Sequence, residues 1–140
     1  VGSEMCIRDR YDLETKQWTA LKDMIHGHQC GGICEWKERG NKIIVAAGYD
    51  YQQMIGYVDN KFVEEYDLIK QQWYDLPKLN KRQEIYPALM TIDNILFCIG
   101  GVYHADNDLG HIELLDPRDL SNKWIDVDSV ENYFNIPKLG

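Results

Sequence analysis

The feature that most constrains this chain is a segment that occurs twice in closely similar form. Tyr11-Asp-Leu-Glu-Thr-Lys-Gln-Trp18 returns 55 residues later as Tyr66-Asp-Leu-Ile-Lys-Gln-Gln-Trp73, and a looser copy runs from Leu115-Asp-Pro to Trp124. A second element repeats in step with the first. Lys42-Ile-Ile-Val-Ala-Ala-Gly48 matches the apolar run that begins at Asn94 and closes on Gly100-Gly101. The order of elements is kept along the chain, so this is a structural unit of about 50 residues. A period of that length with four short strand signals per unit points to radially repeated four-stranded sheets.

The strand signals fall in a regular order. Residues 42–48 and 95–101 are apolar at odd and even positions alike, as expected of inner strands buried on both faces. The residues around 30–36 and 86–92 supply the strand before each, and 62–67 and 110–116 the strand after. The segments 73–76 and 124–127 alternate and suit outer strands with one wet face. Asp93-Asn94 is a tight hairpin signal between apolar runs, with Glu38-Arg-Gly-Asn41 as its longer counterpart.

These residues resemble the kelch repeat: a Gly pair ending an apolar strand, then Tyr-Asp or Leu-Asp, then Trp, with Arg82 ahead of the next inner strand. The resemblance covers about residues 11–134. The first unit departs from it with Ala47-Gly48 for the Gly pair and Gly27 at the place of Arg82, and the third copy has Leu115 for Tyr. The resemblance implies an all-β fold, a kelch-type β-propeller fragment of four-stranded antiparallel blades. The expected blades lie near 29–76 and 86–127, within a partial propeller over 11–140, with an outer strand of a preceding blade near 11–20. Residues 1–10 break the pattern and are expected to lie outside the domain. Because closed propellers typically have 4–8 blades, the rest of the ring is expected from residues beyond these. Tyr11, Trp18, Gly48, Tyr66, Trp73, Gly100, Gly101 and Trp124 are expected to be structural. The glycines allow turns and close approach, and the tryptophans fill the wedge between blades.

Composition narrows the function classes. With 15 Lys plus Arg against 23 Asp plus Glu, the formal net charge is −8. An acidic chain repels phosphate, which argues against nucleic acid and anionic membranes as partners. No apolar run reaches the length of a membrane-spanning helix. There is no N-glycosylation sequon, and Cys98 sits within an apolar run, which fits free thiols in the cytoplasm.

Enzyme signatures are absent: no Gly-x-Gly-x-x-Gly, no phosphate loop and no Gly-x-Ser-x-Gly elbow. His26-Gly-His28-Gln-Cys30-Gly-Gly-Ile-Cys34 has metal-ligand residue types. As an extended strand it spreads them over roughly 26 Å, too far for one zinc ion. Core thiols and a loop histidine pair are the expectation, with no metal or other cofactor. Asp106-Asn-Asp108-Leu-Gly110 reads as an acidic surface turn, because its glycine and closing Glu are misplaced for a calcium loop. Pairs such as Glu64-Glu65 and Asp126/Asp128 read as solvated carboxylates.

The resemblance therefore implies a scaffold or substrate-adaptor module that binds a protein or peptide. An alternative is part of a propeller enzyme of the galactose-oxidase or sugar-active type. The expected binding rim comprises the loops after Gly48 and Gly101 together with Arg82. Its candidate contact residues are Tyr49, Tyr51, Gln52, Arg82, Tyr103, His104 and Asp106.

Overall fold

The computed structural model describes residues 9–52, 56–59, 61–81, 86–101 and 111–127, with the backbone alone at 51, 52 and 56–59. Among these residues the fold is all-β. Two four-stranded sheets carry most of it, and every strand pairing is antiparallel. The first sheet has the order β3 (Gly32–Trp36), β4 (Lys42–Ala46), β7 (Val63–Asp67) and β8 (Gln72–Leu76). The second has β9 (Ala88–Ile92), β10 (Ile95–Ile99), β11 (Ile112–Leu115) and β12 (Ile125–Val127). Strands within each sheet are neighbours in the order in which the chain makes them.

Two further hairpins differ from expectation. β1 (Asp9–Asp12) pairs with β2 (Gln17–Ala20), so the segment near 11–20 is two strands rather than one. Asp9 and Arg10, expected outside the domain, pair with Ala20 and Thr19. The stretch after Gly48, expected as a loop, forms β5 (Tyr49–Gln52), which pairs with β6 (Gly56–Asp59) and stands between β4 and β7.

The repeated Tyr-Asp…Trp segment is a hairpin with its own internal logic. Tyr11 faces Trp18 and Tyr66 faces Trp73 in register, and the ring centroids lie 5.0 and 4.9 Å apart. Such tilted cross-strand aromatic pairs stabilise a two-stranded ribbon. The Asp closes the turn: Asp12 Oδ1 accepts from the Glu14 and Thr15 N–H groups, and Asp67 Oδ1 from those of Ile69 and Lys70. Asp116 accepts likewise from the Arg118 N–H. Lys16, Gln71 and Asn122 each take positive φ at the end of this turn. The three copies thus share a turn mechanism, an Asx turn, even where the third has lost its Tyr.

Other turns also follow from residue type. Asp93 and Asn94 have φ of 50° and 62°, the two left-handed positions of a type I′ hairpin. Gly48 has φ +84°, and a Cβ there would sit 2.5 Å from the Gln29 carbonyl oxygen and 2.7 Å from the Gly31 nitrogen. This glycine meets both a conformational and a steric demand.

The main core lies between the two sheets. Cys34, Trp36, Ile44, Ala46, Val63 and Leu76 of the first face Leu89, Leu96, Cys98, Leu115 and Trp124 of the second. Gly32 lets the sheets approach, since a Cβ there would lie 3.1 Å from that of Leu89. Trp36 Nε1 donates to Asn94 Oδ1 across the interface at 2.8 Å. The far face of the second sheet is also apolar, with Ile95, Phe97 and Leu114 fully buried.

The tryptophans do not play one role. Trp124 is 3% exposed and Trp36 fully buried, Trp73 is half-buried, and Trp18 is 70% exposed. Trp18 is expected to fill a wedge, but among the described residues it has no sheet to pack against.

Candidate functional site

Of the expected rim residues, the structure describes those in β5. Tyr49 is half-buried, and its backbone N–H and carbonyl exchange hydrogen bonds with Gln29 at 2.8 and 2.9 Å. That bridge anchors the hairpin to the turn at Gln29–Gly31, and Tyr51 and Gln52 follow on the same strand. Arg82, Tyr103, His104 and Asp106 lie outside the described residues, as does the acidic turn at 106–110. Gly100 and Gly101 end the second sheet's inner strand with φ of 71° and 98°.

Sequence reasoning missed a cluster of buried charge. Glu64 and Glu113 are fully buried on the third strands of the two sheets, and Glu65 is nearly so. The expectation of solvated carboxylates at 64–65 is therefore corrected. Each glutamate receives the segment arriving from the preceding unit. Glu64 accepts from the backbone N–H groups of Ile25 and His26 at 2.7 and 3.0 Å. Glu113 accepts from those of Asn80 and Lys81 at 2.6 and 3.4 Å. Three residues ahead of each N–H pair, a carbonyl takes an indole proton: Lys22 from Trp73, and Pro77 from Trp124. The same docking pattern thus occurs twice.

The histidines complete the picture. His28 is buried and bonds through Nε2 to Glu64 Oε2 at 2.7 Å and through Nδ1 to the Ala47 carbonyl at 2.8 Å. His26 Nε2 lies 3.1 Å from Asp75 Oδ1, and its ring stacks on Phe62. His26 and His28 lie in the loop ahead of β3, as expected, and both pack against the first sheet, where His28 is buried. Burial opposes ionisation of Glu64. The His28 hydrogen bond and the two N–H groups outweigh it and hold the carboxyl below its ordinary range.

On the second sheet, His111 lies two residues before Glu113, on the same side of the chain. Glu113 stands opposite Asp126 in register. His111 Nε2 is 3.5 Å from Glu113 Oε2 and 3.3 Å from Asp126 Oδ1. Burial raises the Glu113 pKa; the Asn80 and Lys81 N–H groups and His111 oppose this, Asp126 adds to it, and the net shift is upward. The His-x-Glu spacing is readable in the sequence, but the approach of Asp126 comes from the register of β11 against β12.

Among the described residues, three further charge pairs lie outside these two groups. Arg39 bonds to Glu65 at 2.6 Å, Lys42 to Asp67, and Arg118 to Asp116 at 2.8 Å. Cys30, Cys34 and Cys98 are free thiols. No helix among the described residues is long and apolar enough to cross a membrane.

No protein-family model matches the chain, and no curated protein does. Among solved structures, 86 chains are similar. In one of them, the structure of YjhT, the likeness has a TM-score of 0.63 at 14% identity and covers 80% of this chain and 40% of that one. The chain thus spans less than half the length of YjhT. At this identity the likeness supports the all-β fold and leaves activity open.

Proposed function

We propose that this chain is part of a kelch-type β-propeller that serves as a protein-interaction module, and that its binding rim is the end of the sheets where β5 and β6 emerge. The observation that carries the reading is the connection from β4 to β7. A short turn would suffice to join these neighbouring strands, yet the chain builds a separate hairpin containing Tyr49, Tyr51 and Tyr57. Tyrosines on a hairpin that rises from a rigid sheet suit peptide or protein recognition. The repeated docking of each linker by a buried glutamate and an indole N–H supports the propeller part of the reading, because it is a device for stacking successive sheets in one direction. The acidic charge favours a partner with a basic surface.

The test is a binding comparison on the full chain. Tyr51→Ala, Arg82→Ala and His104→Ala are each expected to weaken capture of a partner, and to leave the melting temperature nearly unchanged. Capture that survives all three changes would place the binding surface elsewhere.

A further inference from the structure

The group formed by His111, Glu113 and Asp126 has a geometry that hydrogen bonding does not account for. Its three ligand atoms, one from each side chain, all lie within 4.8 Å of one another. His111 Nε2 is sealed from solvent and has no hydrogen-bond partner among the described residues. It lies within ion-pair distance of two carboxylate oxygens, at 3.3 and 3.5 Å, without a hydrogen bond to either.

The equivalent place on the first sheet shows what a satisfied version looks like. There Glu64 stands opposite Asp75 in register, as Glu113 stands opposite Asp126. That pair has two histidines, and each takes its own carboxylate at hydrogen-bond distance, His28 at 2.7 Å and His26 at 3.1 Å. On the second sheet a single histidine points between both acids.

Separations of 3.3–3.5 Å are long for a charge-assisted hydrogen bond. They match the edge of a tetrahedron whose centre lies ~2.0–2.2 Å from nitrogen and oxygen ligands, an edge of roughly 3.3–3.6 Å. We propose that His111 Nε2, Glu113 Oε2 and Asp126 Oδ1 bind one divalent cation of the zinc class, with water in the fourth position. A neutral imidazole and two carboxylates carry two negative charges, which balance such an ion.

The surroundings suit the assignment. The other Glu113 oxygen, Oε1, is held at 2.6 Å by the Asn80 N–H, which fixes Oε2 toward the histidine. The Asn80 side-chain amide reaches Asp126 Oδ1 at 3.4 Å, so one residue braces two of the three ligands. Asp126 is half exposed and gives the ion a way in. The bound ion ties β11 to β12, and Asn80 of the incoming segment braces its ligands, where the first sheet uses its second histidine.

The full chain, stripped with a chelator, is titrated with zinc by calorimetry and with cobalt by visible absorption. The expected result is one ion per chain, with a cobalt spectrum free of sulfur charge-transfer bands. His111→Ala and Asp126→Asn are each expected to weaken binding by about tenfold or more, and Cys30→Ser to leave it unchanged. Asp126→Asn alters a half-exposed side chain and keeps the readout if His111→Ala fails to fold, which circular dichroism reports. Absence of zinc binding, binding unchanged in Asp126→Asn, or a thiolate cobalt spectrum overturns the proposal.

Discussion

Glu64 and Glu113 occupy the same place on the third strands of successive sheets, and their surroundings drive their ionisation in opposite directions. Both are fully buried, and both cap two consecutive backbone N–H groups of the arriving segment. Glu64 has in addition a short bond from His28, and its pKa is lowered. Glu113 shares its space with Asp126, and its pKa is raised.

Their contributions to stability therefore run in opposite directions with pH. A carboxyl whose pKa is lowered by folding stabilises the native state above its unfolded pKa, and that stability is lost as pH falls through the folded value. One whose pKa is raised contributes below its unfolded pKa and loses that contribution as pH rises through the folded value. Asp67, held at about 2 first by Lys42 and then by the Lys70 N–H, adds to the first kind between about pH 4 and 2. Glu64→Gln is expected to cost about 3 kcal/mol at pH 7 by leaving buried donors poorly paired, and to flatten the acid limb of the stability curve. Glu113→Gln is expected to cost less at pH 7. Urea midpoints of the two variants at pH 7 and pH 4 check both statements.

The two glycine turns of the first sheet separate conformational strain from crowding. Gly40 has φ +87° with open space where a Cβ would stand, whereas Gly48 has φ +84° and a Cβ there would strike the Gln29 and Gly31 backbone. Gly40→Ala is expected to cost about 1–2 kcal/mol, the left-handed penalty alone. Gly48→Ala should cost more than that, because the Gln29–Tyr49 bridge must move as well. Chemical denaturation of the two single variants measures the difference.

The parts of this fold that were legible in the sequence are those set by local chemistry. Alternation, apolar runs and the Asp93-Asn94 turn placed the strands, because a pleated strand and a type I′ turn each demand particular residues at particular spacings. The Tyr-Asp…Trp segment repeats because one hairpin needs its Asp for the turn and its aromatic pair for the ribbon. The hairpin at 49–59 was not legible, since Tyr-Asp-Tyr-Gln reads equally as a recognition loop. Nor were the buried glutamates. Their burial depends on two N–H groups 38 and 39 residues away at Glu64, a distance no local pattern carries. In the candidate site, His111, Glu113 and Asp126 meet through cross-strand register, which sequence proposes only once the strand pairing is known.

The repeat puts Trp18, Trp73 and Trp124 in equivalent places, and the structure ranks them. Trp124 is buried between the sheets and donates to Pro77. Trp124→Ala is expected to cost about 3–5 kcal/mol through a cavity in the main core. Trp73 is half-buried, packs on Tyr66 and donates to Lys22, so its replacement should cost less. Trp18 touches Tyr11 and is mostly exposed, and Trp18→Ala should cost under about 1.5 kcal/mol, the worth of that aromatic pair. Equal losses for all three would show that Trp18 is covered in solution.

The last prediction concerns the thiols. Cys34 and Cys98 lie in the core between the sheets, where burial disfavours the thiolate. It pushes Cys34 to about 11, and it raises Cys98 further, with nearby Glu113 and Cys34 adding to the effect. Alkylation proceeds through the thiolate and needs access to the sulfur. At pH 8 a thiol with a pKa near 11 holds about a hundred times less thiolate than one with a pKa near 9. Iodoacetamide is therefore expected to label Cys34 and Cys98 far more slowly in the native chain than in urea, and Cys98 the more slowly of the two. Peptide mapping of a time course gives each rate separately. Native labelling of Cys98 as fast as in urea would mean that the second sheet separates from the first under those conditions.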